Sequence, residues 1–314
     1  MTHKLLILTR RALEYRALLE AEHLSDLEML AAADVAQAAT FAADCDLVLG
    51  EPSLLARVLS DMTQLRWAQA TWAGVEPLLD PSLRRDYVLT NACGVFGGLM
   101  SEYVFGYLLA RERLILQKHA SQQSAHWDPS PPGSLRGKQL GLLGVGSIGA
   151  ALARTAKHFG MHVKGFTRAS EGCADVDVYF HRRDQFPEFA RELDYLVCVM
   201  PNTSETQRLV DAGLLALLPS RAVLVNPGRG SVVDTGDLVD ALRENRLAGA
   251  VLDVFEHEPL PSEHPLWRMS NVLITSHTAA LSFPRDITRV FVENYHRWVG
   301  NEPLNCRVDF ERGY

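Results

Sequence analysis

The chain has 314 residues, 47% hydrophobic and 22% charged, a soluble globular balance with room for two domains, each with its own core. A net charge of −7 argues against a broad nucleic-acid footprint but leaves room for a local cationic pocket. The five cysteines (45, 93, 173, 198 and 306) are odd in number and lack CxxC spacing, which speaks against a disulfide framework and a zinc site and fits a reducing cytoplasm.

The first apolar run, Leu5-Leu6-Ile7-Leu8, stops at Thr9-Arg10-Arg11. It is too short for a signal-peptide core or a membrane span, and no later run approaches membrane length, so no membrane partner is expected. It reads as a strand over 4–9. A helix over 11–23 follows, with Leu13, Ala17 and Leu18 on one side. Further strands are expected over 46–49, 65–70 and 87–91. Short buried strands separated by helices indicate a parallel sheet covered on both faces. The run Cys93-Gly94-Val95-Phe96-Gly97-Gly98 breaks the pattern, and a domain boundary is placed there. A long helix runs from Ser101 to about Lys118, with Val104, Leu108, Arg111 and Ile115 at helical spacing. The Pro-rich stretch 128–134 is a connector.

From Lys138 the alternation restarts. Strands are expected over 139–143, 161–166, 176–180, 194–199, 222–226, 249–252 and 271–275, and helices over 147–159, 204–217 and 235–245. This suits a doubly wound nucleotide-binding domain. The last segment, 284–299, is amphipathic: Val290, Phe291, Tyr295 and Trp298 share a face, which packs back on the N-terminal domain. The fold class is therefore α/β, with a substrate domain over 1–97 and 283–314 and a dinucleotide-binding domain over 98–282.

The strand at Leu140-Gly141-Leu142-Leu143 leads into Gly144-Val145-Gly146-Ser147-Ile148-Gly149. Gly144 permits a tight turn, Gly146 lets the backbone approach a pyrophosphate, and Gly149 lets the next helix lie close to the strand. The helix starting near Ser147 aims its free amides and positive dipole end at the phosphates. A bare GxGxxG is weak evidence; a strand before it and a helix after it make it a dinucleotide site. An NAD site places an acid at the end of the next strand. Here Thr167-Arg168 stand in that place, with Ser170 close by. A guanidinium and hydroxyls suit a 2′-phosphate, so NADP(H) is expected over NAD(H). Glu171 works against that preference, and Arg168 stacked on adenine or facing solvent is the alternative.

Three strands end in polar residues, where ligands bind in parallel sheets. Arg229, between Gly228 and Gly230, can grip a carboxylate bidentately and polarise an adjacent carbonyl. Asp253 can accept from a nicotinamide amide, or cap a helix with Glu256. His277 is suited to proton transfer near neutrality, and Glu258 is available to orient its ring and favour its charged form.

These motifs resemble the D-isomer-specific 2-hydroxyacid dehydrogenase family. The resemblance rests on Gly144 to Gly149, Pro201-Asn202-Thr203-Ser204-Glu205-Thr206, Asn226-Pro227-Gly228-Arg229-Gly230-Ser231-Val232-Val233-Asp234, Leu252 to Pro259 and Ser276-His277-Thr278-Ala279-Ala280, with Asn91, Gly94 and Glu102 at the domain crossover. It implies a flavodoxin-like substrate domain, discontinuous in sequence, beside a Rossmann domain, with a cleft between them that closes to exclude water. It implies Arg229, Glu258 and His277 as the catalytic set. Gly144, Gly146, Ser147, Ile148, Gly149, Thr167, Arg168, Pro201, Thr206, Pro227, Gly228 and Asp253 are the cofactor-side positions. Backbone amides of Ala73-Gly74-Val75 hold the substrate carboxylate together with Arg229. No metal is implied, and a homodimer through the helix after Ser101 is. Two departures stand out: the acid after the second Rossmann strand is replaced by Thr167-Arg168, as in the glyoxylate/hydroxypyruvate reductase branch, and Ser276 stands where proline precedes the histidine.

The activity implied is hydride transfer between NADP(H) and a small 2-keto or 2-hydroxy acid, such as glyoxylate or hydroxypyruvate. The rivals are a non-catalytic NADP(H)-binding regulator on the same fold and an enzyme with another hydride donor. A methyltransferase would leave Arg229, Glu258 and His277 unexplained. Trp72, Phe96 and Trp127 are each either pocket or core.

Overall fold

The computed structural model describes residues 2–168 and 171–314, so Ser170 lies outside the described residues. The chain forms two compact units, Met1–Val95 with Ser282–Tyr314, and Phe96–Leu281.

The first unit contains β1 (His3–Leu8), α1 (Ala12–Ala21), β2 (Leu27–Ala32), α2 (Val35–Ala38), β3 (Leu47–Gly50), α3 (Pro52–Val58), β4 (Trp67–Ala70) and β5 (Val88–Thr90). All pairings are parallel, in the order β2-β1-β3-β4-β5. β3 and β4 are buried along their whole length, as a sheet covered on both faces requires. The edge strand β2 was not expected: its Leu-Glu-Met-Leu-Ala-Ala has helix-forming side chains and no β-branched residue. Helix α1 also turns a different face inward. Ala12, Tyr15 and Leu19 are buried, whereas Leu13 is 77% exposed. The C-terminal helix, Pro284–Val299, belongs to this unit and buries Phe291 and Tyr295. Phe291 stacks on the fully buried Trp67 with ring centroids 5.0 Å apart.

Cys93 and Cys306 form a disulfide across a sequence separation of 213, with Cα atoms 5.9 Å apart. This corrects the expectation from cysteine count and spacing. The exit of β5 pairs with the segment beyond the C-terminal helix, through a Thr90–Arg307 bridge and an Asn91 amide donating to the Cys306 carbonyl at 3.0 Å. Linear spacing carries no trace of that approach. Cys45, Cys173 and Cys198 are free.

The second unit opens with α4 (Gly97–Glu112) and α5 (Ile115–Gln123). The single long helix expected here is interrupted at Leu114, whose φ of 55° is left-handed. Then come β6 (Gln139–Leu143), α6 (Ser147–His158), β7 (His162–Phe166), β8 (Val178–Phe180), α7 (Phe186–Ala190), β9 (Tyr195–Cys198), α8 (Ala212–Leu217), β10 (Val223–Asn226), α9 (Thr235–Arg243), β11 (Gly249–Leu252) and β12 (Val272–Ile274). The sheet runs β12-β11-β10-β9-β6-β7-β8, all parallel. That order is doubly wound, with its switch point between β6 and β9. The helix expected over 204–217 is confined to Ala212–Leu217. Upstream of it the Thr203 and Thr206 hydroxyls bond the backbone locally, and Asp211 caps the Leu214 amide. Among the described residues, no helix is long and apolar enough to cross a membrane, and no His/Cys/Asp/Glu group could hold a metal ion.

Candidate active site

The glycine loop leaves β6 at the switch point. Gly144 has φ of 102°, open to glycine without strain. A Cβ on Gly149 would lie 2.2 Å from the Gly144 carbonyl oxygen, so α6 sits against the loop only because that residue is glycine. A Cβ on Gly146 would meet no protein atom. The loop thus presents bare backbone, and the free amides at the start of α6, to open space, which fits a pyrophosphate. Ser147 is exposed there and Ile148 packs partly into the core.

The second strand of this half, β7, ends at Thr167-Arg168. Thr167 is buried, and its amide donates to the Phe180 carbonyl at 3.0 Å. The Arg168 guanidinium pairs with Glu205. Two further basic residues join this corner: His181, whose Nδ1 lies 2.7 Å from the Thr167 carbonyl, and Arg183, which donates to the Glu205 carbonyl at 2.9 Å. The Glu171 carboxylate, 2.6 Å from His181 Nε2, raises the imidazole above its usual value. Sequence reading missed both residues, since β7–β8 pairing brings them in (Phe166 opposite Phe180) rather than proximity in the chain. The corner holds three basic groups beside the carboxylates of Glu171 and Glu205.

Across the switch point, Thr206 donates to the Pro201 carbonyl at 2.7 Å and closes the turn from Pro201 to Thr206. Ser231 donates to Asn202 at 2.9 Å, which ties that turn to the loop after β10. In that loop Pro227 and Gly228 are buried. Asn226 donates to the Arg229 carbonyl at 2.9 Å and accepts from the Gly228 amide at 3.2 Å. Asn226, only 1% exposed, therefore shapes the turn that carries Arg229. A Cβ on Gly230 would fall 2.0 Å from the Phe255 backbone, so glycine there lets the Arg229 loop touch the loop after β11.

That second loop holds Asp253, Glu258 and a cis Glu258–Pro259 bond. No helix begins at Asp253, so the capping alternative does not apply. Asp253 is 1% exposed and takes its partners from the loop after β12: Thr275 Oγ1 at 2.5 Å, the Thr278 amide at 2.9 Å and the Ala279 amide at 2.9 Å. Its carbonyl also accepts from the His277 amide at 2.8 Å. Glu258 accepts from the Phe255 amide through one oxygen at 2.9 Å, and its other oxygen lies 2.8 Å from His277 Nδ1. The carboxylate–imidazole pair anticipated across 19 residues is formed. Asn226 is in register with Leu252, and Leu252 with Ile274, so all three loops leave the sheet side by side at one end.

In the first unit, Asn91 donates to the Ala73 carbonyl at 2.9 Å and the Ala92 amide to the Trp72 carbonyl at 3.0 Å. These bonds fix the loop through Ala73, Gly74 and the buried Val75. Phe96 is core at 6% exposed, whereas Trp72 is 48% and Trp127 90% exposed.

The D-isomer specific 2-hydroxyacid dehydrogenase NAD-binding domain model matches residues 105–279. A glyoxylate reductase of Aeropyrum pernix is 34% identical over 247 residues, 76% of this chain and 70% of that protein. A glyoxylate/hydroxypyruvate reductase A of Escherichia fergusonii is 31% identical over 252 residues, 78% of this chain and 80% of that protein. The crystal structure of a D-isomer specific 2-hydroxyacid dehydrogenase family protein from Aeromonas salmonicida superimposes with a TM-score of 0.93 at 40% identity, covering 99% of this chain and 100% of that one. That of an NADPH-dependent glyoxylate/hydroxypyruvate reductase from Sinorhizobium meliloti, in complex with NADP and sulfate, gives 0.87 at 26% identity, with the same coverage. The chain belongs to the D-isomer specific 2-hydroxyacid dehydrogenase family, in its glyoxylate/hydroxypyruvate reductase branch, and is an oxidoreductase.

Proposed function

We propose that the protein reduces a small 2-keto acid of the glyoxylate or hydroxypyruvate class, with NADP(H) preferred over NAD(H). The observation that carries this reading is the Glu258–His277 pair, formed between the loops after β11 and β12, beside the loop after β10 that bears Arg229. A reduced nicotinamide, when bound, supplies the hydride. Gly144, Gly146, Ser147, Ile148 and Gly149 hold its pyrophosphate, with Pro201, Thr206, Pro227 and Gly228 lining the opposite loops. Arg229 grips the substrate carboxylate and polarises the carbonyl. His277 protonates the oxygen as it gains charge, and Glu258 orients the ring and stabilises its charged form. Asp253, beyond its bonds to the His277 loop, accepts from the carboxamide. The amides of Ala73, Gly74 and Val75 are the further carboxylate donors. Support for NADP(H) comes from Arg168, His181 and Arg183 at the end of β7, and from relatives whose structures contain NADPH or NADP.

The same reading makes the protein a homodimer through α4 and α5, where Ile115 and Leu116 are 52% and 57% exposed. It places the protein in the cytoplasm, where the Cys93–Cys306 pair would face thiol reductants. The test is to follow oxidation of NADPH and NADH with glyoxylate, hydroxypyruvate, pyruvate and phenylpyruvate. Turnover with the small acids, faster with NADPH, is expected. Cofactor binding without turnover on any of the four would leave a non-catalytic NADP(H)-binding regulator instead.

A further inference from the structure

His277 has a φ of 55°, in the left-handed region that a residue with a Cβ enters only at a cost of about 1–2 kcal/mol. Such a conformation persists where neighbouring bonds over-determine it. The bonds here come from Asp253: its carbonyl and both carboxylate oxygens take the amides of His277, Thr278 and Ala279 in succession. The Asp253 carboxylate is in turn gripped by Thr275 Oγ1, and Tyr103 OH on α4 lies 2.8 Å from that same hydroxyl. A carboxylate only accepts, and a threonine hydroxyl has one hydrogen. The Thr275 hydrogen therefore goes to Asp253, and Tyr103 donates to Thr275. The chain of donors runs one way, from helix α4 to the backbone that carries the imidazole.

The sequence gives this relay a specific task. Proline before the histidine would hold Thr275 in extended backbone, and this chain has Ser276 instead. The backbone bonds around that point fall on Thr275, whose amide donates to the Leu252 carbonyl, and on His277. We propose that Tyr103 and Thr275 are positioning residues for the proton donor: their hydroxyl relay onto Asp253 locks the His277 loop where this chain lacks a proline. The assignment deepens the proposed 2-keto acid reduction and rests on it for its kinetic consequence, though not for its structural one.

The test compares Tyr103→Phe, Thr275→Val and each of these combined with Ser276→Pro. Hydrogen exchange at His277, Thr278 and Ala279 is read by NMR or mass spectrometry, beside kcat, KM and NADPH affinity. Loss of one half-buried hydrogen bond corresponds to about a tenfold effect. Exchange of the three amides is expected to quicken about tenfold in both single variants, and kcat to fall by a similar factor. KM for the keto acid and NADPH affinity should stay within about twofold. Adding Ser276→Pro should slow the exchange again and recover most of kcat, which a general loss of stability would not allow. Parent-like exchange in both single variants, or no slowing on adding proline, overturns the assignment. Should the parent reduce no keto acid, the functional reading fails while the exchange comparison still decides the relay.

Discussion

Both oxygens of Glu258 are committed, one to the Phe255 amide and one to His277. The carboxylate is thereby anchored to its own loop while it orients the imidazole of the next. Glu258→Gln keeps the size and a hydrogen-bonding oxygen but removes the charge. General acid catalysis contributes about 10²–10⁴-fold, so His277→Ala should lower kcat by that factor. Glu258→Gln should fall between this variant and the parent, with cofactor affinity unchanged in both; steady-state kinetics beside fluorescence binding of NADPH checks it. At this scale the sequence was most legible. Arg229, Glu258 and His277 each follow a short apolar strand, and the end of a parallel strand is a predictable address. His181 and Arg183 were not legible because their neighbours Thr167 and Glu205 are distant in the chain. Asn226 was visible only as part of a motif, and its two hydrogen bonds to the Arg229 turn depend on a loop conformation that composition does not encode.

Among the elements, the strands of the second unit fall within a residue or two of their expected positions, because a buried parallel strand is a continuous apolar run bounded by polar turns. The edge strand β2 escaped notice because its Leu-Glu-Met-Leu-Ala-Ala favours a helix and has no β-branched residue. The shortened α8 shows threonine hydroxyls competing with helix formation. The end of β7 carries a prediction at this scale. Arg168 joins that strand to the turn after β9 through Glu205. Arg168→Asp should lower kcat/KM for NADPH by about 10–100-fold, the loss of a charge-assisted bond, while changing the value for NADH little. Equal losses with both cofactors would instead mark Arg168 as a purely structural tie between the two loops.

For the molecule as a whole, buried phenols set an alkaline limit. Burial pushes Tyr87 and Tyr295 up to about 12, and raises Tyr15, Tyr103 and Tyr195 beyond the ordinary range. In the unfolded chain tyrosines ionise at about pH 10. A raised folded value means that stability is full below that pH and is lost as the pH rises through about 12. Thermal melts should be flat in this respect up to about pH 10 and then fall steeply, with the absorbance of these five tyrosinates appearing together with unfolding rather than ahead of it. The two-unit α/β architecture was legible in the alternation of strands and helices. The fastening of the C-terminal segment to the crossover was not, since it arises from an approach between residues 213 positions apart.

That fastening closes the backbone from Cys93 to Cys306 into a covalent ring, and the whole Phe96–Leu281 unit is threaded along its circumference. A protease that cuts once anywhere inside the ring opens it without freeing a fragment. Nicked protein should therefore migrate as a single species of full mass on a denaturing gel without reductant, and split into two pieces only when a thiol is added.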